Sequence, residues 1–210
     1  MFDAQKFKFV KEFRAFRDVL NVDNFTQYQN KLEKLVKHPE YNFIAGLSFE
    51  FIIGVLLHQY GDLKQFGVMD YSPTYIGDAE NPDHGADGYG RAFKGTSRDT
   101  RMAIVQVKYR SKKSGNLSEN DFGNLRGLVA NHLFENDEVN VTIVTNVIDN
   151  REPLDHEQSK SYIAAKFKNG FDAELQARIK IRVISGNQLE RELNNFAIWG
   201  RIRRMSGMFN

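Results

Sequence analysis

Cysteine is missing from all 210 residues of this chain, and that one absence excludes several chemistries together. Disulfide scaffolds, thiolate zinc sites, iron–sulfur clusters and cysteine nucleophiles all need the residue the chain lacks. A dominant sign of charge is missing too: 29 Lys and Arg against 27 Asp and Glu leave +2. That balance permits nucleic-acid binding without arguing for it. No apolar run approaches the ~20 residues of a membrane span. The opening MFDAQKFKFVKEF mixes charge with Phe at short spacing, unlike a secretory signal. There is no repeat, no linker and no Walker-A loop, and Gly88-Tyr89-Gly90 lacks the third Gly and the helix of a dinucleotide fingerprint. His38, His58, His84, His132 and His156 show no zinc-ligand spacing. What is present is a folding composition, 41% hydrophobic with 17 Phe. The expectation is a soluble cytoplasmic protein, not associated with a membrane, with one main domain long enough to bury a core.

Three regions emerge along the chain. Residues 1–42 read as a helical N-terminal extension: Val10, Phe13, Phe16 and Leu20 recur at helical spacing, then Phe25, Tyr28, Leu32 and Leu35. Asp23 or Asn24 caps the second helix, and His38-Pro39 closes it. Residues 43–195 form the main domain. Ala45–Tyr60 has hardly any polar face, the pattern of a helix buried on most sides. Leu63–Val68 reads as a strand and Met69–Ala86 as a long loop with room for an edge strand. Asp87–Phe93 and Met102–Arg110 read as paired strands, and Ser118 caps a helix reaching about Phe134. Val139–Asn146 reads as an inner strand, Lys160–Lys168 as a helix, Ile179–Ile184 as a strand and Asn187–Asn195 as a short helix. Residues 196–210 form a basic tail. Strands alternating with helices imply an α/β fold with a central sheet covered on both faces.

Three places could carry chemistry. Glu50 sits among Leu47, Ile53, Gly54 and Leu57 on a helix, where a carboxylate is costly unless paired or placed on a metal. Strand alternation puts Gln106 and Lys108 side by side on one face, with Val105 and Val107 on the other. Asp83-His84-Gly85-Ala86-Asp87-Gly88 is a turn leading into a strand. Taken singly, these are a helix-end acid, a solvated strand face and a Gly/Asp turn. In series, a hairpin brings Asp87 toward Gln106 and Lys108. Asp87, the Gln106 amide oxygen and the Val107 carbonyl are oxygen ligands suited to Mg²⁺. Lys108 could then polarise a water or stabilise charge growing on a phosphate.

From about Gly46 to Leu189 the layout resembles the PD-(D/E)xK nuclease superfamily, and within it the Mrr-like type IV restriction endonuclease group. Gly46–Glu50 (GLSFE) resembles that group's Gly-x-x-Phe-Glu helix, Asp83–Gly88 its Asp-x-Gly-x-Asp-Gly turn, and Ile104–Arg110 (IVQVKYR) its Gln-x-Lys strand. Val141–Asn146 and Ile181–Glu190 resemble its later strand and closing strand–helix unit. The resemblance implies a restriction-endonuclease-like mixed sheet and Mg²⁺-dependent hydrolysis of DNA, with Mn²⁺ as substitute ion. It implies Asp87 as principal metal-binding carboxylate, Gln106 in the usual acidic position, Lys108 as catalytic lysine, and Glu50 as the helix acid holding the metal or its water. Asp83 and His84 would stand behind the ligands. The helical extension lies outside the match, and the chain carries no separate recognition domain of the kind type IV enzymes commonly have.

Arg91, Lys94, Arg110, Lys112, Lys113, Arg201, Arg203 and Arg204 are the candidates for DNA phosphates. Duplex cleavage from one site per chain suits a homodimer, with the Phe-rich extension as interface or as extra core. Restriction, homing and phage-type roles all fit the main expectation. A Holliday-junction resolvase, or a catalytically silent DNA-binding module in which Gln106 marks lost chemistry, remains an alternative.

Overall fold

The computed structural model describes residues 14–35, 37, 42–61, 63, 65–74, 85–92, 102–110, 117–147, 156–195 and 197–207. At its centre is the apolar helix α3 (Asn42–Tyr60), in which Phe51 to Leu57 are all buried. By length and composition its Phe43–Tyr60 window would also suffice to cross a membrane; here 67% of that window is buried within the protein. A helix without a polar face needs cover on every side. A five-stranded sheet supplies one side, and helices supply the others.

The strands are β1 (Val68–Pro73), β2 (Gly88–Ala92), β3 (Met102–Lys108), β4 (Val139–Thr145) and β5 (Ile179–Ser185), in that spatial order. β1–β2 and β2–β3 pair antiparallel; β3–β4 and β4–β5 pair parallel. The mixed pattern follows from the connections. Parallel neighbours need a crossover, and helices occupy both. A 3₁₀ turn (Glu119–Phe122) and α4 (Gly123–Glu135) lie between β3 and β4; α5 (His156–Lys168) and α6 (Ala173–Arg178) lie between β4 and β5.

The sheet divides two cores. Ala103, Val105 and Val107 of β3 join the cluster containing α3, whereas Ile104 joins the cluster containing Leu125 and Val129 of α4 and Phe167 of α5. The period-two alternation expected for this strand is therefore present. β4 is buried almost throughout, as its β-branched run implies.

The N-terminal extension is part of the first core. In α1 (Arg14–Leu20) and α2 (Phe25–Leu35), Phe16, Leu20, Phe25, Tyr28 and Leu32 are fully buried in the same cluster as α3. These five described side chains serve as core. Asn24 caps α2 by accepting from the Gln27 amide at 2.9 Å. The tail belongs to this core too. After α7 (Gly186–Asn195), α8 (Trp199–Gly207) buries Trp199, Ile202 and Ser206 at helical spacing, and the Trp199 indole donates to the Leu193 carbonyl at 2.8 Å. Residues expected as a basic tail thus form an amphipathic helix. The first strand is also displaced: the Phe66 and Gly67 amides donate to Leu63 O, as in a turn, and the strand begins at Val68. Gly67, at φ 64, ends that turn before β1 begins.

Two glycines separate packing from propensity. A Cβ on Gly88 would come within 2.5 Å of the Tyr71 ring, whereas one on Gly127, in α4, would meet nothing within 4 Å. Gly88→Ala is expected to destabilise by about 1–3 kcal/mol through overpacking. Gly127→Ala should stabilise by roughly 0.5–1 kcal/mol. Urea midpoints of the two variants check both signs.

Candidate active site

Asp87 precedes β2 and is tied to β3 by main chain and side chain alike. Its amide donates to Val105 O at 2.8 Å. Its carboxylate Oδ2 then accepts from the Val107 amide at 2.6 Å and from Gln106 Nε2. The side chain thereby extends the β2–β3 ladder beyond its last residue pair, Gly88↔Val105. The peptide oxygen of Asp87 accepts from the Thr74 amide at 3.0 Å and from the Tyr71 hydroxyl at 3.1 Å. Asp87 and Gln106 are almost wholly buried, 4% and 3% exposed.

Glycines allow the turn to close. Gly85 has φ 97, and a Cβ there would strike the backbone of Asn124 and Leu125. The turn therefore rests directly on α4. Gly88 admits the Tyr71 ring, as noted above. Tyr71 reaches this position through a β-bulge: the register of β1 against β2 slips between Met69 and Ser72, and Asp70 takes φ 51. One extra residue changes which side chains face inward. Tyr71 and Val68 are consequently buried on the α3 side, while Asp70 and Ser72 are exposed.

One cavity of about 280 Å³ collects these groups. It is lined by Glu50 from α3, Gly85 and Asp87 from the turn, Gln106, Val107 and Lys108 from β3, Asn120 and Asp121 from the 3₁₀ turn, and Asn124 from the start of α4. The four residues expected to act together thus share one surface. Glu50 Oε2 is shielded from solvent. Asp121 is held on both oxygens. It pairs with Arg110, and its Oδ2 accepts from the Ser118 amide at 2.7 Å and the Ser118 hydroxyl at 3.0 Å. Ser118 thus caps the 3₁₀ turn and not the helix expected, since α4 begins after Phe122 with no side-chain cap. Asn146 pins the neighbouring chain: its side-chain oxygen accepts from the Arg110 amide at 2.8 Å, and its Nδ2 donates to Arg110 O at 2.7 Å.

The other sequence candidates divide sharply. Asp83, His84, Lys94, Lys112 and Lys113 lie outside the described residues. Arg110 stands beside the cavity, paired with Asp121, and burial lowers its pKa. Arg91 pairs with Asp70 on the neighbouring strand. Arg203 binds Asp23 and the Val22 carbonyl, and Arg204 is exposed. Arg201 lies 3.4 Å from Gln59, nine residues and hence about 13 Å along α3 from Glu50. None of the three tail arginines lines the cavity.

Tyr71, Asn120, Asp121 and Asn124 were not among the candidates. Ser118-x-x-Asp121 was readable as a capping box. Nothing in the sequence marks the bulge that aims Tyr71.

The Tyr71 phenol reports on the site's charge. Burial raises its pKa well above the ordinary value, and the Asp87 and Glu50 charges push it further up. A folded-state pKa above the unfolded one gives stability that is complete below about pH 10 and is lost as pH climbs toward the folded value. Tyr71→Phe should therefore flatten the alkaline loss of stability by up to about 1.4 kcal/mol per pH unit. Denaturant titrations of both proteins between pH 8 and 11.5 measure it; parallel curves would contradict it.

Compared with family models, curated proteins and solved structures, the chain matches none.

Proposed function

We propose that the chain is a Mg²⁺-dependent endodeoxyribonuclease on a restriction-endonuclease-like scaffold, with Mn²⁺ as the substitute ion. The observation that carries this reading is the single cavity shared by Glu50, Asp87, Gln106 and Lys108. Two acids, an amide and a lysine on one surface make a site for handling a phosphate beside a hard cation.

The donor set fits such an ion. Carboxylate oxygens of Glu50 and Asp87, the Gln106 amide oxygen and the Val107 carbonyl are all oxygen ligands. Asp121 is committed to Arg110 and Ser118, and among the described residues no group of three His, Asp or Glu gathers for a metal. The site would therefore hold its ion with two carboxylates and neutral oxygens. When bound, Mg²⁺ supplies positive charge at the phosphate and eases deprotonation of the attacking water.

The remaining work falls to the chain. A water oxygen bonds to phosphorus while the P–O3′ bond breaks; O3′ takes a proton and a second proton goes to solvent. Lys108 places its ammonium where negative charge grows on the non-bridging oxygens. Glu50 faces the water, and the clamp from Val107 and Gln106 fixes the Asp87 carboxylate. Arg91 can exchange its exposed partner Asp70 for a backbone phosphate, since surface pairs contribute about 0–1 kcal/mol. Cutting both strands of a duplex would require two copies, hence a homodimer.

One observation favours a second reading, a DNA-binding module without chemistry. Gln106 brings no negative charge and gives its amide to Asp87.

Supercoiled plasmid separates the two. With Mg²⁺ the wild-type chain should nick or linearise it, and EDTA should stop the reaction. Lys108→Ala should lower the rate by about 10²–10³-fold with the unfolding midpoint unchanged. Cutting in EDTA, or undiminished cutting by the variant, overturns the proposal. Binding without turnover assigns the second reading. Preference for a four-way junction over linear duplex identifies a resolvase.

A further inference from the structure

Two cavity residues have no part in the chemistry above. Asn120, in the 3₁₀ turn, and Asn124, one helical turn later, line the same surface as Asp87 and Lys108. Both are exposed, and among the described residues neither amide engages a protein partner. The two amides line the same cavity from either side of the step between the 3₁₀ turn and α4. Between them, Gly123 carries no side chain, and a Cβ there would meet nothing within 4 Å.

Charge explains why neutral groups belong there. Among the described residues the cavity surface carries three acids, Glu50, Asp87 and Asp121, and one lysine, Lys108. A polyanion approaching it meets repulsion everywhere except at Lys108 and on the α4 wall. There the one acid is neutralised by Arg110 and the rest of the lining is amide. Amide N–H groups hold non-bridging phosphate oxygens without disturbing a cation held by Glu50 and Asp87.

From this geometry we infer that Asn120 and Asn124 are positioning residues, holding the DNA phosphate backbone across the mouth of the cavity. The inference rests on the endonuclease reading and names the contact that aligns its substrate. Lying beside the reacting groups, the pair meets backbone rather than base edges, so its contribution is independent of sequence.

The test is steady-state cleavage of fluorescent duplexes of several sequences with Mg²⁺. It is paired with DNA-binding anisotropy in a Lys108→Ala background between 50 and 200 mM salt. In N120A/N124A, KM should rise about tenfold per amide lost while kcat stays within about twofold. Affinity in the anisotropy assay should fall by the same factor, and its salt slope should not change, because neutral donors release no counterions. The loss should be uniform across sequences, and N120Q/N124Q should recover most of it. An unchanged KM, a loss confined to particular base sequences, or a fall in kcat alone overturns the inference. A wild-type chain that cuts DNA while N120A/N124A behaves identically removes this inference only. A wild-type chain that neither binds nor cuts removes the endonuclease reading and this inference together.

Discussion

The site depends on one buried carboxylate and what it is bonded to. Taking Asp87 out of water has a desolvation cost of several kcal/mol, roughly, unless its oxygens are met. Two N–H groups meet it, the Val107 amide and the Gln106 side chain, and both belong to the strand that carries Lys108. Charge-assisted bonds of this kind are short and about twice as strong as neutral ones. The clamp therefore fixes the turn before β2 to the working end of β3. The close contacts of Gly85 and Gly88 are what that attachment demands: with Asp87 fixed, the turn has to pass against α4 on one side and under the Tyr71 ring on the other.

The cavity lies where two independent cores meet. Glu50 comes from a helix locked in the first apolar cluster; Asn120, Asp121 and Asn124 come from a 3₁₀ turn and a helix start locked in the second through Phe122 and Leu125. β3 belongs to both, contributing Val105 and Val107 to one side and Ile104 to the other. Side chains carried on helices and strands packed this way hold their positions better than side chains on loops. The burial of α1, α2 and α8 against α3 serves the same end. Those helices cover the back of the element that presents Glu50.

What could be read from the chain beforehand follows the strength of each periodic signal. The face of β3 was visible because Val105-Gln106-Val107-Lys108 alternates apolar with polar, and it placed Gln106 and Lys108 together. The burial of α3 was visible because a helix with no polar face has few alternatives. β1 was misplaced because Leu63, Phe66 and Val68 suggest a strand, whereas Gly67 at positive φ turns the chain first. The inward turn of Tyr71 depends on an inserted residue, and a bulge leaves no mark on hydrophobic pattern. In the basic tail Arg201, Arg203 and Arg204 obscure the helical spacing of Trp199, Ile202 and Ser206. Charge drew attention away from periodicity. The same bias explains why Asn120 and Asn124 escaped notice: amides carry no charge and form no motif.

Gln106 is the residue on which the chemical reading turns, and its geometry suggests why an amide suits this position. An aspartate or glutamate in its place would set a second carboxylate against Asp87 in a site almost closed to water. Like charges that close cannot both remain ionised without a cation between them, and one would take up a proton. The amide has no such conflict. It donates Nε2 to Asp87 and keeps Oε1 as an oxygen that a cation can use. The arrangement therefore assembles around one carboxylate rather than two. On the endonuclease reading this exchanges some cation affinity for a site already in its working shape, since one negative charge fewer attracts the ion.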